Sequence, residues 1–329
     1  MRARPTTAAA LLALFASGCD LLAFEPTGSK NSTPQTISPG VQQIIGGTVP
    51  PPAWIALQAG YVYFTSPDGN TVARVPNFVG GNLETLCCTT GERPQRLAVS
   101  SSYLWFTSSQ GVSRVDLNSM QRQLINPASS YGIAFTPSNI FWTQDGGNVM
   151  QAALDGSNPI QIAGGQGRPE AITTDPNAVY WLPTTGGPWP MRYPFPSGPA
   201  QNLSANGSIS FSTGQILVDG TEVYWTDPDQ GGLYKVTTNS GSQTLDIVTD
   251  HQNRPMGIAL DTNYVYWTNQ GDGTVVRLPR LGGSAQTIAT GQATPTGIVV
   301  DGSGAYWANQ GNSNNVGGSI MHWSLPPGG

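Results

Sequence analysis

Residues 263–283 read NYVYWTNQGDGTVVRLPRLGG: valine, tyrosine, tryptophan and threonine in a row, a Gly-rich turn, then a second apolar run. β-Branched and aromatic residues bounded by Gly, Asn and Asp are the composition of strands joined by a turn. The phrase returns along the chain. Its first valine position recurs at Val62, Leu104, Ile140, Val179, Val223, Val265 and Ala305, in steps of 42, 36, 39, 44, 42 and 40 residues. The next position is always aromatic: Tyr63, Trp105, Phe141, Tyr180, Tyr224, Tyr266 and Tyr306. So is the one after it: Phe64, Phe106, Trp142, Trp181, Trp225, Trp267 and Trp307. A step near forty residues is the size of one four-stranded propeller blade.

The rest of the unit follows from this anchor. An apolar run precedes each aromatic pair, as in Ile55-Ala56-Leu57 or Ile258-Ala259-Leu260. The residue ending each run (Gln58, Ser100, Thr136, Asp175, Asp219, Asp261, Asp301) lies four before the valine-like position in every copy. A constant gap means one hairpin reused, because loop length fixes register. A third strand, such as Val275-Val276-Arg277-Leu278, and a fourth, such as Gln286-Thr287-Ile288-Ala289, complete the unit. The last copy stops at its third strand, and the missing one stands at the other end of the chain. QQIIGGTVPPPAWIAL at 42–57 mirrors QTIATGQATPTGIVV at 286–300. The expected fold is therefore all-β: a seven-bladed β-propeller of four-stranded antiparallel blades over residues 41–329, closed by an N-terminal strand completing the last blade. Neighbouring strand residues point to opposite faces, so two aromatics in succession should fill the gaps on both sides of a blade.

These residues resemble the YWTD β-propeller repeats of low-density-lipoprotein-receptor type, and more loosely the NHL-type propellers. Tyr224-Trp225-Thr226-Asp227 matches the motif in full; Tyr266-Trp267-Thr268-Asn269 and Tyr306-Trp307-Ala308-Asn309 match in part. The chain departs in having seven units and no epidermal-growth-factor-like module. Ser66, Ser108, Gln144 and Pro183 stand at the acidic fourth position in the first four units. The resemblance implies a binding surface on the face that carries the fourth-to-first and second-to-third connections.

Charge and leader bound the surroundings. Charged residues make up 10% of the chain and the net charge is −5, against the basic surface that nucleic acid requires. The opening MRARPTTAAALLALFASGCD sets Arg2 and Arg4 before an apolar run too short to span a bilayer. Its end, Ala16-Ser17-Gly18-Cys19, resembles a bacterial lipobox. Residues 1–18 are thus expected to be a lipoprotein signal peptide, Cys19 the lipidation site, and 19–40 a flexible tether. Export across the inner membrane follows, with lipid anchoring in the bacterial cell envelope, at the periplasm or the cell surface. An ordinary signal peptide with an incidental cysteine is the alternative.

Candidate chemistry is sparse. Arg-Pro pairs lead into three units, at Arg93, Arg168 and Arg254. Three guanidinium groups on one face would suit an anionic ligand, or each could bond its own or the next loop. Asp227, Asn269 and Asn309 open polar second-to-third loops that could read sugar hydroxyls or backbone groups, or serve the turns themselves. A basic residue recurs in the third strand (Arg74, Arg114, Arg192, Lys235, Arg277, His322), with Gln151 the exception; such repetition argues for packing rather than a site. Cys87 and Cys88 could form a vicinal disulfide or stay free. His251 and His322 are the sole histidines, so a multi-His metal site is excluded and no cofactor is expected. The reading is a monomeric, non-enzymatic scaffold whose loop face binds a protein or glycan, touching membrane through its lipid alone. The alternative is a propeller enzyme of lyase or lactonase type with a metal in the central channel. The seven-bladed streptogramin lyases, which use a central magnesium and a histidine, are an example of that kind.

Overall fold

The computed structural model describes residues 40–185, 189–203, 214–238, 245–311 and 317–325. The expected leader, Cys19 and most of the expected tether lie outside the described residues. The described chain forms seven four-stranded antiparallel sheets. In six of them the strands follow chain order. The seventh runs Val41–Val49, Gly318–Ser324, Gly304–Asn309, Pro295–Asp301 from its outer edge inwards. The strand Val41–Val49 lies antiparallel to Gly318–Ser324, with Gln43 opposite Met321 and a bulge on either side of Ile45 and Gly46.

The seven first strands form a ring. Trp54–Gln58, Leu97–Val99, Ser130–Phe135, Pro169–Thr174, Ile216–Asp219, Pro255–Leu260 and Pro295–Asp301 touch one another in that order, and the last touches the first. What holds neighbouring blades together is the aromatic pair. Every one of its residues is at most 3% exposed. The core divides into seven apolar clusters, one per blade interface, each joining the first aromatic of one blade to the second aromatic of the next. Trp105 meets Trp142 in one, Tyr224 meets Trp267 in another, and Tyr266 meets Trp307 in a third. Phe64 and Tyr306 share the cluster between the first and last blades, which completes the circle. Each such ring buries on the order of 150–250 Å², so the clusters dominate the apolar burial.

A second device runs beside the aromatics. In five of the seven blades a threonine follows the pair and ties neighbouring strands together; in blade four Leu182 stands there instead. Thr268 Oγ1 accepts from Gly257 N of its own inner strand at 2.9 Å and donates to Thr296 O of the next inner strand at 2.5 Å. Thr226 does the same with Gln215 N and Met256 O, and Thr107 with Arg96 N and Tyr131 O. In the last blade Ala308 replaces the threonine, and Thr296 supplies the hydroxyl, donating to Ala53 O at 2.7 Å. Thr268→Val keeps the shape and removes the hydroxyl, leaving a buried N–H and a buried carbonyl without it. The expected loss is about 1–3 kcal/mol, read by urea unfolding; no loss would mean the staple is incidental.

The recurring third-strand cations lie across aromatic rings on the blade sides. Arg74 stands 4.4 Å over Tyr61 and pairs with Glu84 at 2.7 Å. Arg114 covers Tyr103 and Arg277 covers Tyr264. His322 stacks on Tyr306 at 4.2 Å, and burial pushes its pKa down to about 4, so it is neutral near pH 7.

Candidate functional site at the channel mouth

Antiparallel pairing puts the fourth-to-first and second-to-third connections at one end of every blade, the end where the inner strand begins. Around the axis at that end, one position of the repeat changes size from blade to blade: the residue four before the hairpin residue. It is Gly132, Ala171, Gly257 and Gly297 in blades three, four, six and seven, but Trp54, Arg96 and Gln215 in blades one, two and five. The four small residues coincide with β-bulges in their inner strands. There neighbouring backbones approach so closely that a Cβ on Gly257 would lie 2.2 Å from Thr296 O. The pairings of blades one, two and five show no such bulge.

The larger side chains turn inwards. Arg96 crosses the ring and donates from Nη2 to Gly214 O of blade five at 2.5 Å. Its guanidinium lies flat on Trp54, 3.1 Å from the ring centroid. Burial pulls its pKa below the ordinary arginine value, partly offset by the field of Glu170. Gln215 Oε1 accepts from Ile258 N of blade six. Beside them Arg168 stacks over Tyr131 at 4.6 Å, bonds its hydroxyl and pairs with Glu170 at 3.2 Å. Two arginines, two aromatic rings and two carboxylates, Glu170 and Asp145, thus converge at the mouth. Such a set can grip a charged or planar group; it holds no nucleophile–base pair.

The three Arg-Pro connections share the loop face but are held differently. Arg93, at φ 48°, pairs with Asp68 at 3.0 Å, while Arg168 reaches the mouth as described. Arg254, at φ 56°, is exposed and its guanidinium has no partner among the described residues. The polar turn residues sit inside. Asn269 and Asn309 are buried, and each donates its amide to a glutamine from the preceding connection, Gln252 and Gln292, at 3.0 Å. The same glutamine oxygens accept Trp267 Nε1 and Trp307 Nε1. Asp227 is buried and caps its own turn, accepting from Asp229 N and Gln230 N.

Cys87 and Cys88 are joined as a vicinal disulfide where blade one hands over to blade two. Glu92 lies beside it, forming with the two sulfurs a group of metal-ligand type; both sulfurs are taken up by the disulfide. Arg122, at 2.7 Å, holds the Glu92 carboxyl down to about 2, helped by Thr89. That depressed pKa adds stability above the ordinary carboxylate range, and the contribution fades as pH falls towards 2. Of the two histidines, His322 is buried in a third strand and His251 stands exposed in the connection into blade six, 3.0 Å from Asp250.

Sequence reasoning missed Trp54, Arg96, the threonine staple and the two glutamines. The staple and the channel residues carried a signal. Threonine recurs in five copies, and Trp54, Arg96 and Gln215 break a run of small residues at one repeat position.

No family model matches the chain. Among curated proteins, Protein cueball of Drosophila erecta is 23% identical over 163 residues, which are 46% of this chain and 25% of that protein. The chain therefore spans about a quarter of its length. Solved structures give the fold. Virginiamycin B lyase from Staphylococcus aureus superposes with a TM-score of 0.73 at 18% identity, covering 87% of this chain and 99% of its own. A streptogramin B lyase gives 0.70 at 18% identity, over 89% of this chain and all of its own. A chain of the nidogen/laminin complex gives 0.54 at 15% identity, over 73% and 97%. At these identities the likeness is one of architecture.

Proposed function

We propose that the chain is a non-enzymatic binding propeller, lipid-anchored in the cell envelope through Cys19, that takes a protein or glycan partner on its loop face. The observation that carries this reading is the make-up of the channel mouth: Arg96 on Trp54 and Arg168 on Tyr131 offer charged and aromatic recognition groups. A propeller of related shape occurs in a nidogen/laminin complex, which supports protein binding as a use of this architecture. The lipobox-like Ala16-Ser17-Gly18-Cys19 supports the anchor.

A lyase is the second reading, favoured by the overlay on two streptogramin-type lyases. One of those lyases is inactivated by replacing a histidine with alanine. Here His322 is buried away from the channel and His251 stands out in the solvent.

Immobilised full chain and envelope extract provide the test. A partner retained by the natural sequence should be lost by about tenfold or more on Arg168→Ala/Arg254→Ala, a binding change of about 1.4 kcal/mol. It should persist on Leu281→Asp, a fully exposed position in a third-to-fourth loop at the opposite end. Fatty-acid label should enter the chain in cells and vanish with Cys19→Ala. Equal retention by every variant contradicts the loop face; a stoichiometric channel ion with turnover of virginiamycin B favours the lyase.

A further inference from the structure

We propose that Arg96 is a carboxylate receptor at the channel mouth, binding an acidic side chain or chain terminus of a protein partner. The proposal rests on the loop face as the binding surface and names the chemistry it selects.

Symmetry is broken at the mouth. A packing rule repeats from blade to blade, as the aromatic pair and the threonine do. At the position facing the axis, small residues repeat in four blades and arginine occurs once. Its surroundings explain how it is held but leave its charge unmatched. One nitrogen, Nη2, donates to Gly214 O, and the face of the guanidinium rests on Trp54. Nε and Nη1 have no partner among the described residues, yet they are not among the side-chain nitrogens sealed from solvent. No carboxylate pairs with Arg96 there. Glu170, whose field reaches it, pairs instead with Arg168. A half-buried cation without an ion pair keeps only part of its hydration, and thinning the water around it strengthens attraction for an incoming anion.

The orientation suits a carboxylate. Stacking on Trp54 fixes the guanidinium plane, and the bond to Gly214 fixes its rotation. Gly214 takes one of the two Nη2 hydrogens, and the other, with the adjacent N–H of Nε or Nη1, leaves one fork that matches two carboxylate oxygens. Width selects the carrier. Arg96 bridges blade two to blade five and so narrows the channel at this depth, which favours a slender arm. A glutamate or aspartate side chain, or a chain terminus, brings its carboxylate on such an arm; a uronate carries it directly on a bulky ring.

The test uses the full propeller and three probes: N-acetyl-glutamate amide, N-acetyl-glutamine amide and glucuronate, at matched ionic strength with sodium chloride as reference. The Arg96 Nε–H signal is followed by proton–nitrogen correlation spectroscopy and assigned with Arg96→Lys; should that variant fail to fold, Trp54→Phe assigns it through the lost ring current. The glutamate probe should shift the signal saturably, with a midpoint on the order of 10 mM, and the glutamine probe should need at least about ten times more. A shift no larger than chloride gives overturns the receptor. Equal midpoints for glucuronate and the glutamate probe overturn the choice of a protein carboxylate. A partner lost on Arg168→Ala/Arg254→Ala while the Arg96 signal stays fixed would leave the loop-face reading standing and this assignment refuted.

Discussion

Trp267→Ala is expected to lose about 3–5 kcal/mol of stability, the range for removing a large aromatic from a packed core. Trp267 is fully buried and shares its cluster with Tyr224 and Leu233 of the preceding blade and Ile258, Val265 and Val276 of its own. Neither neighbour can collapse into the void, because each blade is fixed on its other side by the next aromatic pair. The indole also donates to Gln252 Oε1, which holds Asn269 Nδ2 as well. Losing the indole therefore weakens the turn between the second and third strands. Trp267→Phe keeps much of the volume and loses the N–H, so a smaller fall, about 1–3 kcal/mol, is expected. Equilibrium unfolding in urea measures both. Equal and negligible losses would mean that the aromatic pair does not hold the blades together.

Deleting residues 41–49 should have an effect at least as large. Val41, Ile44 and Val49 are all at most 5% exposed. Burying each is worth about 1.5–3 kcal/mol relative to exposure, an upper range because unfolded chains are partly compact. Val41 packs with Trp307 and Trp323, Ile44 and Val49 with Phe64 and Tyr306, so the strand touches clusters on both sides of the last blade. Its removal also bares the edge of Gly318–Ser324, a template for pairing with other chains. The expected result is a chain that aggregates or melts well below the intact protein, with recovery when a peptide of residues 40–50 is added in excess. Full stability without these residues would show that the ring needs no such strand.

The architecture was legible because its cause repeats. Two consecutive aromatics every forty residues state both the blade size and the absence of a solvent face, and the structure places every one of them between blades. The staple was half legible. Thr268 recurs in step with its neighbours, but its acceptor, Thr296 O, lies in the next unit and becomes its neighbour only after the ring forms. Asn269 and Asn309 show the opposite limit. Turn composition does not distinguish a side chain pointing outwards from one tucked inwards, and the glutamines that draw them in come from the preceding connection. Arg96 could be seen to break the pattern, yet its reach to Gly214 joins residues 118 apart in sequence and exists only across a closed ring. Site chemistry here depends on what stands across the axis, whereas the fold depends on what stands next in the chain.

Closure is the claim on which the channel mouth depends, since an open array would not set Arg96 against blade five. Hydrogen–deuterium exchange of the intact protein tests it most directly. Residues 318–324, paired on both sides, should exchange as slowly as the second strands of the other blades, and the edge strand 41–49 should be protected to the same degree as the outer fourth strands of the other blades. Exchange of 41–49 within seconds, with 318–324 protected on one side alone, would contradict a wheel joined by the two ends of its chain.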